Sequence, residues 1–287
     1  MARTEGKAAE AKEKGSGRPD LGSIGGVILA FGGILGGLLL EGGSLKDIAQ
    51  ITAAMIVLGG TFGAVLINTP LPVVIGAARR IVAVFRDSAE SPSQLIEEII
   101  TYATKARKNG LVSLEREAEE VRDPFLKKAL TLAVDGTDLQ EMRKMLEMAI
   151  SVNEHQADSE AKVFESAGGY APTIGIIGAV MGLIQVMKNL ANIDEVGKGI
   201  AVAFVATVYG VGLSNILLLP AASKIKARAQ EETIRKELIL EGVLSIVEGL
   251  NPKLIRSKLE VFDHSGTPAK KASEGADAAA KSPVLES

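Results

Sequence analysis

The chain of 287 residues contains no cysteine. That absence excludes disulfides and thiolate metal sites, and it fits a protein exposed to a reducing cytoplasm. Histidine is nearly as scarce. His155 and His264 stand far apart, with no H-x-x-x-H or similar ligand spacing. There is no P-loop, no G-x-S-x-G and no G-x-G-x-x-G following a strand, so the common phosphate, hydrolase and dinucleotide signatures are missing. We therefore expect no enzyme activity, no metal and no cofactor. The formal net charge of −3 gives no pointer to nucleic acid.

A more telling absence is local. Apolar residues make up 47% and charged residues 23% of the chain, and mean hydropathy is +0.23. High values of both require segregation. Four runs carry no charge: Leu21 to Leu40, Ile48 to Ala78, Ser166 to Met187 and Gly199 to Ser223. A bilayer core needs about 20 apolar residues per helix, so each run reads as a transmembrane helix. The second should stop near Asn68, where Thr69-Pro70-Leu71-Pro72 breaks the pattern. Residues 73–86 then read as an amphipathic exit helix at the membrane surface. The first run is Gly-rich and lacks a small-x-small cleavage site followed by a secreted domain, so it does not read as a cleaved signal peptide.

Lysine and arginine set the orientation. Arg18 precedes the first helix, Arg79, Arg80 and Arg86 follow the second, and Lys224, Lys226 and Arg228 follow the fourth. The two short connections carry only Lys46, and Lys188 with Lys198. Both termini and the large middle segment are expected in the cytoplasm of a bacterial inner-membrane protein.

The fold class is thus an all-α integral membrane protein, two helices plus two, with a helical segment between helices 2 and 3. We divide it into an N-terminal tail (1–19), helices 1 and 2 (20–78), a cytoplasmic unit (79–165), helices 3 and 4 (166–223), a helical tail (224–262) and a C-terminal tail (263–287). The two end segments are rich in Ala, Lys, Glu, Gly and Ser and have too little apolar surface to fold. In the middle segment, Ser91-Pro92-Ser93-Gln94 reads as a capping box. Leu95, Ile96, Ile99, Ile100 and Ala103 form the apolar stripe of the helix it opens, which should end at Asn109-Gly110. Ser113 is expected to cap a second helix, Asp123-Pro124 a third that ends at Gly136, and the box Thr137-Asp138-Leu139-Gln140 a long fourth that runs towards the third span.

The apolar runs are rich in residues that weaken helices in water. In lipid, helices associate by close packing, which small residues permit. Pairs four apart recur at Gly22/Gly26, Gly32/Gly36, Gly33/Gly37, Gly59/Gly63, Gly178/Gly182 and Ala206/Gly210, and Gly175 joins the third span's set. So many close-packing faces on four helices suggest partners beyond one chain. Pro172 opens the third span and Pro220 lies near the end of the fourth. In membranes such prolines are tolerated where neighbours satisfy the freed carbonyl, or they read as boundary residues where a kink is harmless.

Ion transporters usually hold ionisable groups inside the bilayer. These spans hold none. Their polar candidates are Thr173, Thr207, Tyr209, Ser214 and Asn215. A lone membrane threonine such as Thr207 often only bonds its own helix. If ions move along this protein, a second membrane protein must bring the titrating carboxylate.

Pro172-Thr173-Ile174-Gly175-Ile176-Ile177-Gly178-Ala179-Val180-Met181-Gly182, Ala206-Thr207-Val208-Tyr209-Gly210 and Pro220 resemble the flagellar stator A subunits, MotA and PomA. The run Lys105-Ala106-Arg107-Lys108-Asn109-Gly110-Leu111-Val112-Ser113-Leu114-Glu115 resembles the loop of the same family. The likeness covers about residues 20–262. It implies a homo-pentamer around two copies of a B subunit that has a membrane Asp and a peptidoglycan-binding domain. It further implies that ion flow turns the ring against a rotor switch-complex protein, in contact with membrane lipid. Pro172 and Pro220 match the family's coupling prolines, and Thr207 its hydroxyl facing the Asp. Arg107 and Glu115 match rotor-facing charges, although both also suit helix-end dipoles worth about 0.3–1 kcal/mol each. Sodium-type members carry hydroxyls at the positions of Ala179 and Ala206, so a translocated proton is expected here rather than sodium, although Tyr209-Gly210 also occurs in sodium-type members. The rival expectations are an energiser of an outer-membrane system like TolQ and ExbB, a non-conducting scaffold, and an independent channel, the last disfavoured by the uncharged spans.

Overall fold

A computed structural model describes residues 18–19, 21–84, 86–87 and 92–264. Nearly all of them are helical. The expected cap Ser91 and most of both tails lie outside these residues. The helical tail reaches His264, past the expected end at 262.

Helix α1 spans Leu21–Leu40. A short turn, α2 (Leu45–Ile48), is closed by a capping box between Ser44 and Asp47. Helix α3 runs Ile51–Asn68 and α4 Leu71–Val84. The break between them falls where the prolines place it. Arg18–Pro19 pairs antiparallel with Arg86–Asp87. Next come α5 (Pro92–Asn109), a 3-10 turn (Leu111–Leu114), α6 (Glu115–Glu120) and α7 (Pro124–Val134). Helix α8 is continuous over Leu139–Lys188 with Pro172 inside it. Helix α9 (Ile193–Gly212) passes through a π-helical turn (Leu213–Leu218) into α10 (Leu219–Val247), and α11 is Pro252–His264. Four of these helices are long and apolar enough to cross a membrane: α1, α3, α8, and α9 with its continuation.

The chain forms two compact units. One takes the described residues up to Ala89 together with His155–Ala229, and the other those of Glu90–Glu154 with Gln230–Ser287. Residues 230–264 therefore pack with the middle segment, whereas a linear reading made them a separate tail.

In the second unit the stripe read on α5 is the core. Leu95, Ile96, Ile99 and Ala103 are buried and Ile100 is half-buried. They meet Leu126 and Leu130 of α7, Met142 and Leu146 of α8, and Leu238 and Leu244 of α10. Gly110 ends α5 at φ +82° and Gly136 follows α7 at φ +70°, a left-handed conformation that favours glycine. Asp123 caps α7, accepting from the N–H groups of Phe125 and Leu126 at 2.8 and 2.9 Å.

Two expected caps differ. The Ser113 hydroxyl donates back to the Gly110 carbonyl at 2.7 Å inside the 3-10 turn, and α6 begins after Leu114 with no side-chain cap bond. The long α8 is capped by Asp138, which accepts from Gln140 and Glu141, and not by Thr137. Aspartate in that position also places negative charge at the helix N-terminus.

Candidate functional site

The first unit is organised around the seam between α8 and α9, where glycines bring two backbones together. A Cβ on Gly210 would lie 2.5 Å from the Ala171 carbonyl, and one on Gly182 2.7 Å from that of Gly199. A Cβ on Gly175 would meet the Ala206 carbonyl at 2.9 Å, and one on Gly178 the Ala206 methyl at 2.8 Å. The four predicted packing glycines are thus brought together. The predicted pairs on α1 are not. No described residue of α1 is buried, and Gly32, Gly33, Gly36 and Gly37 face open space. Gly59 and Gly63 of α3 are also open. Gly60, between them, is the residue that meets α8, at Ile174.

Ala206 is fully buried in the seam with Ala53, Val57 and Val205. A larger side chain there would meet Gly178, so Ala206 is a packing residue of this seam. Ala179 is half-buried. The Thr207 hydroxyl donates to the Ala203 carbonyl of its own helix at 3.2 Å. Its two lone pairs remain acceptors. Thr207 lies between Phe204 and Val211 on an exposed apolar stripe of α9 that also holds Val208.

Tyr209 reaches out of the seam. Its hydroxyl donates to the Ile48 carbonyl and accepts from the Gln50 N–H at 3.4 Å, tying α9 to the segment before α3. Thr173 bonds the Tyr170 carbonyl at 2.8 Å and Asn215 that of Val211 at 3.0 Å, both within their own helices. Pro172 is half-buried and Pro220 exposed. The Ser214 hydroxyl crosses to the Gly168 carbonyl at 2.7 Å.

Sequence reasoning missed a buried charge. Glu160 is 4% exposed, accepts from the Arg80 guanidinium, and takes a second bond from Gln156 at 3.0 Å. Gly76 makes room for it, since a Cβ there would lie 2.7 Å from the carboxylate. From the sequence alone Arg80 reads only as an orienting charge. The available signal was a glutamate on the stripe of Ala157, Ala161 and Phe164.

The predicted rotor charges lie in the second unit. Arg107 closes α5 and Glu115 opens α6, and both are exposed. Among the described residues neither has an ion-pair partner. Their neighbours do. Lys105 pairs with Glu117, and Arg235 with Asp123 at 3.1 Å. The Lys105 bond holds Glu117 below the usual carboxylate range, with burial opposing it. Burial, and then the bond to Glu98, raises Tyr102.

Four apolar helices, a glycine seam and polar side chains without charge in the spans define a polytopic helical membrane protein whose chemistry is packing and hydroxyls. Residues 117–238 match the model of the MotA/TolQ/ExbB proton channel family, and residues 24–110 that of the motility protein A N-terminal region. Motility protein A of Bacillus subtilis (strain 168) is 38% identical, over 85% of this chain and 90% of its own. Chemotaxis protein PomA of Vibrio alginolyticus is 33% identical over 87% and 98%. Among solved structures, the C. jejuni MotAB superposes with a TM-score of 0.81 at 32% identity, covering 85% of this chain and 95% of that one. The flagellar MotAB stator complex from Bacillus subtilis gives 0.79 at 35%, covering 88% and 98%. The chain belongs to the motility protein A family.

Proposed function

We propose that this chain is the A subunit of a flagellar motor stator, which joins a B-type partner to form an ion channel and turns ion flow into torque. The observation that carries this reading is the α8–α9 seam. It presents Thr207 on an uncharged, exposed stripe while holding the backbones of α8 and α9 in close contact. No carboxylate lies in the apolar spans, so the titrating group comes from the partner's membrane helix. Thr207 offers it acceptor lone pairs. Pro172 and Pro220 are the flexible points, and Arg107 and Glu115, exposed and without an ion-pair partner among the described residues, face the rotor's switch complex. The assembly is a pentamer of this chain around two B subunits, in the bacterial inner membrane with both termini in the cytoplasm.

The translocated ion is a proton. Sodium requires several oxygen ligands in place of its hydration shell, and Ala179, half-buried on α8, offers none. Each charge crossing 100 mV contributes about 2.3 kcal/mol.

The test is a deletion strain, complemented with the native chain or with Thr207→Ala, scored for flagella and for swimming in sodium-free medium. Intact flagella that do not turn are expected in the deletion. The native chain should restore swimming that a protonophore stops, and Thr207→Ala at equal membrane level should not restore it. Normal swimming in the deletion strain would point to an energiser of an outer-membrane system. Swimming that needs sodium would overturn the proton reading alone.

A further inference from the structure

Pro172 has no N–H, so the carbonyl of Gly168, four residues earlier, loses its helical donor. Helix α8 nevertheless runs unbroken through this point. An unpaired carbonyl is costly in a water-free interior. The Ser214 hydroxyl supplies the missing bond. It donates to the Gly168 oxygen at 2.7 Å, and Ser214 is 2% exposed.

This is not the usual behaviour of a membrane hydroxyl, which bonds back into its own helix. Thr207, Asn215 and Ser223 do so, to Ala203, Val211 and Leu219. Ser214 turns across to the other helix. Gly168 permits the approach, because a Cβ there would lie 2.6 Å from Leu219.

The same residue serves the second proline. Pro220 cannot donate to the Ile216 carbonyl, and the chain ahead of it widens into the π-helical turn. In that turn the Leu219 N–H bonds the Ser214 carbonyl, five residues back. Ser214 thus holds the carbonyl orphaned by Pro172 with its side chain, and the turn that precedes Pro220 with its backbone.

We infer that Ser214 is a positioning residue that joins the two proline defects into one hinge. The inference rests on the stator reading for its consequence, that the two kinks move together when an ion passes.

The experiment is a double-mutant cycle on the full chain in lipid nanodiscs, read as thermal unfolding midpoints, with torque measured in cells. Ser214→Ala should lower the midpoint by about 2 °C, as loss of one interhelical bond would in a chain of this size. In Pro172→Ala the residue 172 N–H is restored to the Gly168 carbonyl, so Ser214→Ala should then lower the midpoint clearly less. At equal membrane level Ser214→Ala should reduce torque, and Ser214→Thr, which keeps the hydroxyl, should recover part of it. Equal midpoint losses in both backgrounds, or none in either, would overturn the bond's role. Coupled midpoints with unchanged torque, in a strain whose swimming depends on this chain, would overturn the hinge. The unfolding cycle needs no motor, so it stands apart from a failure of the stator reading.

Discussion

Single atoms decide the α8–α9 seam. At Gly210 the missing side chain is replaced by the backbone of Ala171 and Gly175. A backbone carbonyl cannot turn aside as a flexible side chain can. Gly210→Val should therefore cost about 1–3 kcal/mol through overpacking, seen as a lower unfolding midpoint and less protein in membranes. An unchanged midpoint would mean that the seam relaxes. Thr207→Ala should behave in the opposite way, since its bond is to its own helix: it leaves the fold intact and stops the motor. The buried Glu160–Arg80 pair shows why a residue count falls short. A glutamate on a mostly charged stretch of sequence looks solvated until a helix from elsewhere in the chain brings Arg80 and Gly76 onto it.

Elements are governed by their ends and by the pairs that tie them. The α5 to α7 region was readable because Gly110, Asp123 and Gly136 act locally, through φ angles and a cap within three residues. The Thr137 assignment missed because Asp138 accepts from the first N–H groups of α8, and the Ser113 assignment because its hydroxyl donates back to the Gly110 carbonyl within the 3-10 turn. Lys105 to Glu117 joins α5 to α6 across the turn that Arg107 and Glu115 flank. Glu117 is held below its ordinary range by that lysine. A depressed carboxylate adds stability above its unfolded value, near 4.3, and loses it as pH falls through the folded value. Glu117→Gln removes this contribution. The variant should lose less stability than the native chain on acidification below about pH 4, measured as unfolding midpoints of the full chain against pH. Parallel curves would show that the pair contributes nothing.

For the whole molecule, orientation is the expectation most exposed to test, and the absence of cysteine makes the test clean. Ser44→Cys, before α2, and Asn189→Cys, between α8 and α9, should react with a membrane-impermeant maleimide added outside spheroplasts. Arg107→Cys should react only after permeabilisation. Labelling of Arg107→Cys from outside would invert the topology. Helix α1 belongs to this scale too. None of its described residues is buried and its glycines face open space, which fits an assembly in which the remaining packing comes from other chains.

Hydropathy and turn chemistry in the sequence alone determined four spans, the break at Thr69–Pro72 and the helix ends of the second unit. The reason is that the transfer of apolar residues into lipid and the backbone needs of glycine, proline and capping carboxylates act within a few residues. The chain's motifs also carried the family. Only the tertiary structure decided that Gly60 rather than Gly59 or Gly63 meets α8, that Ala206 is buried against Gly178, that Glu160 is paired, and that Ser214 reaches Gly168. Each of these is a contact between residues far apart in the chain. Such contacts depend on which face of a helix turns towards its neighbour, and a run that is apolar all round does not encode that in its hydrophobic pattern.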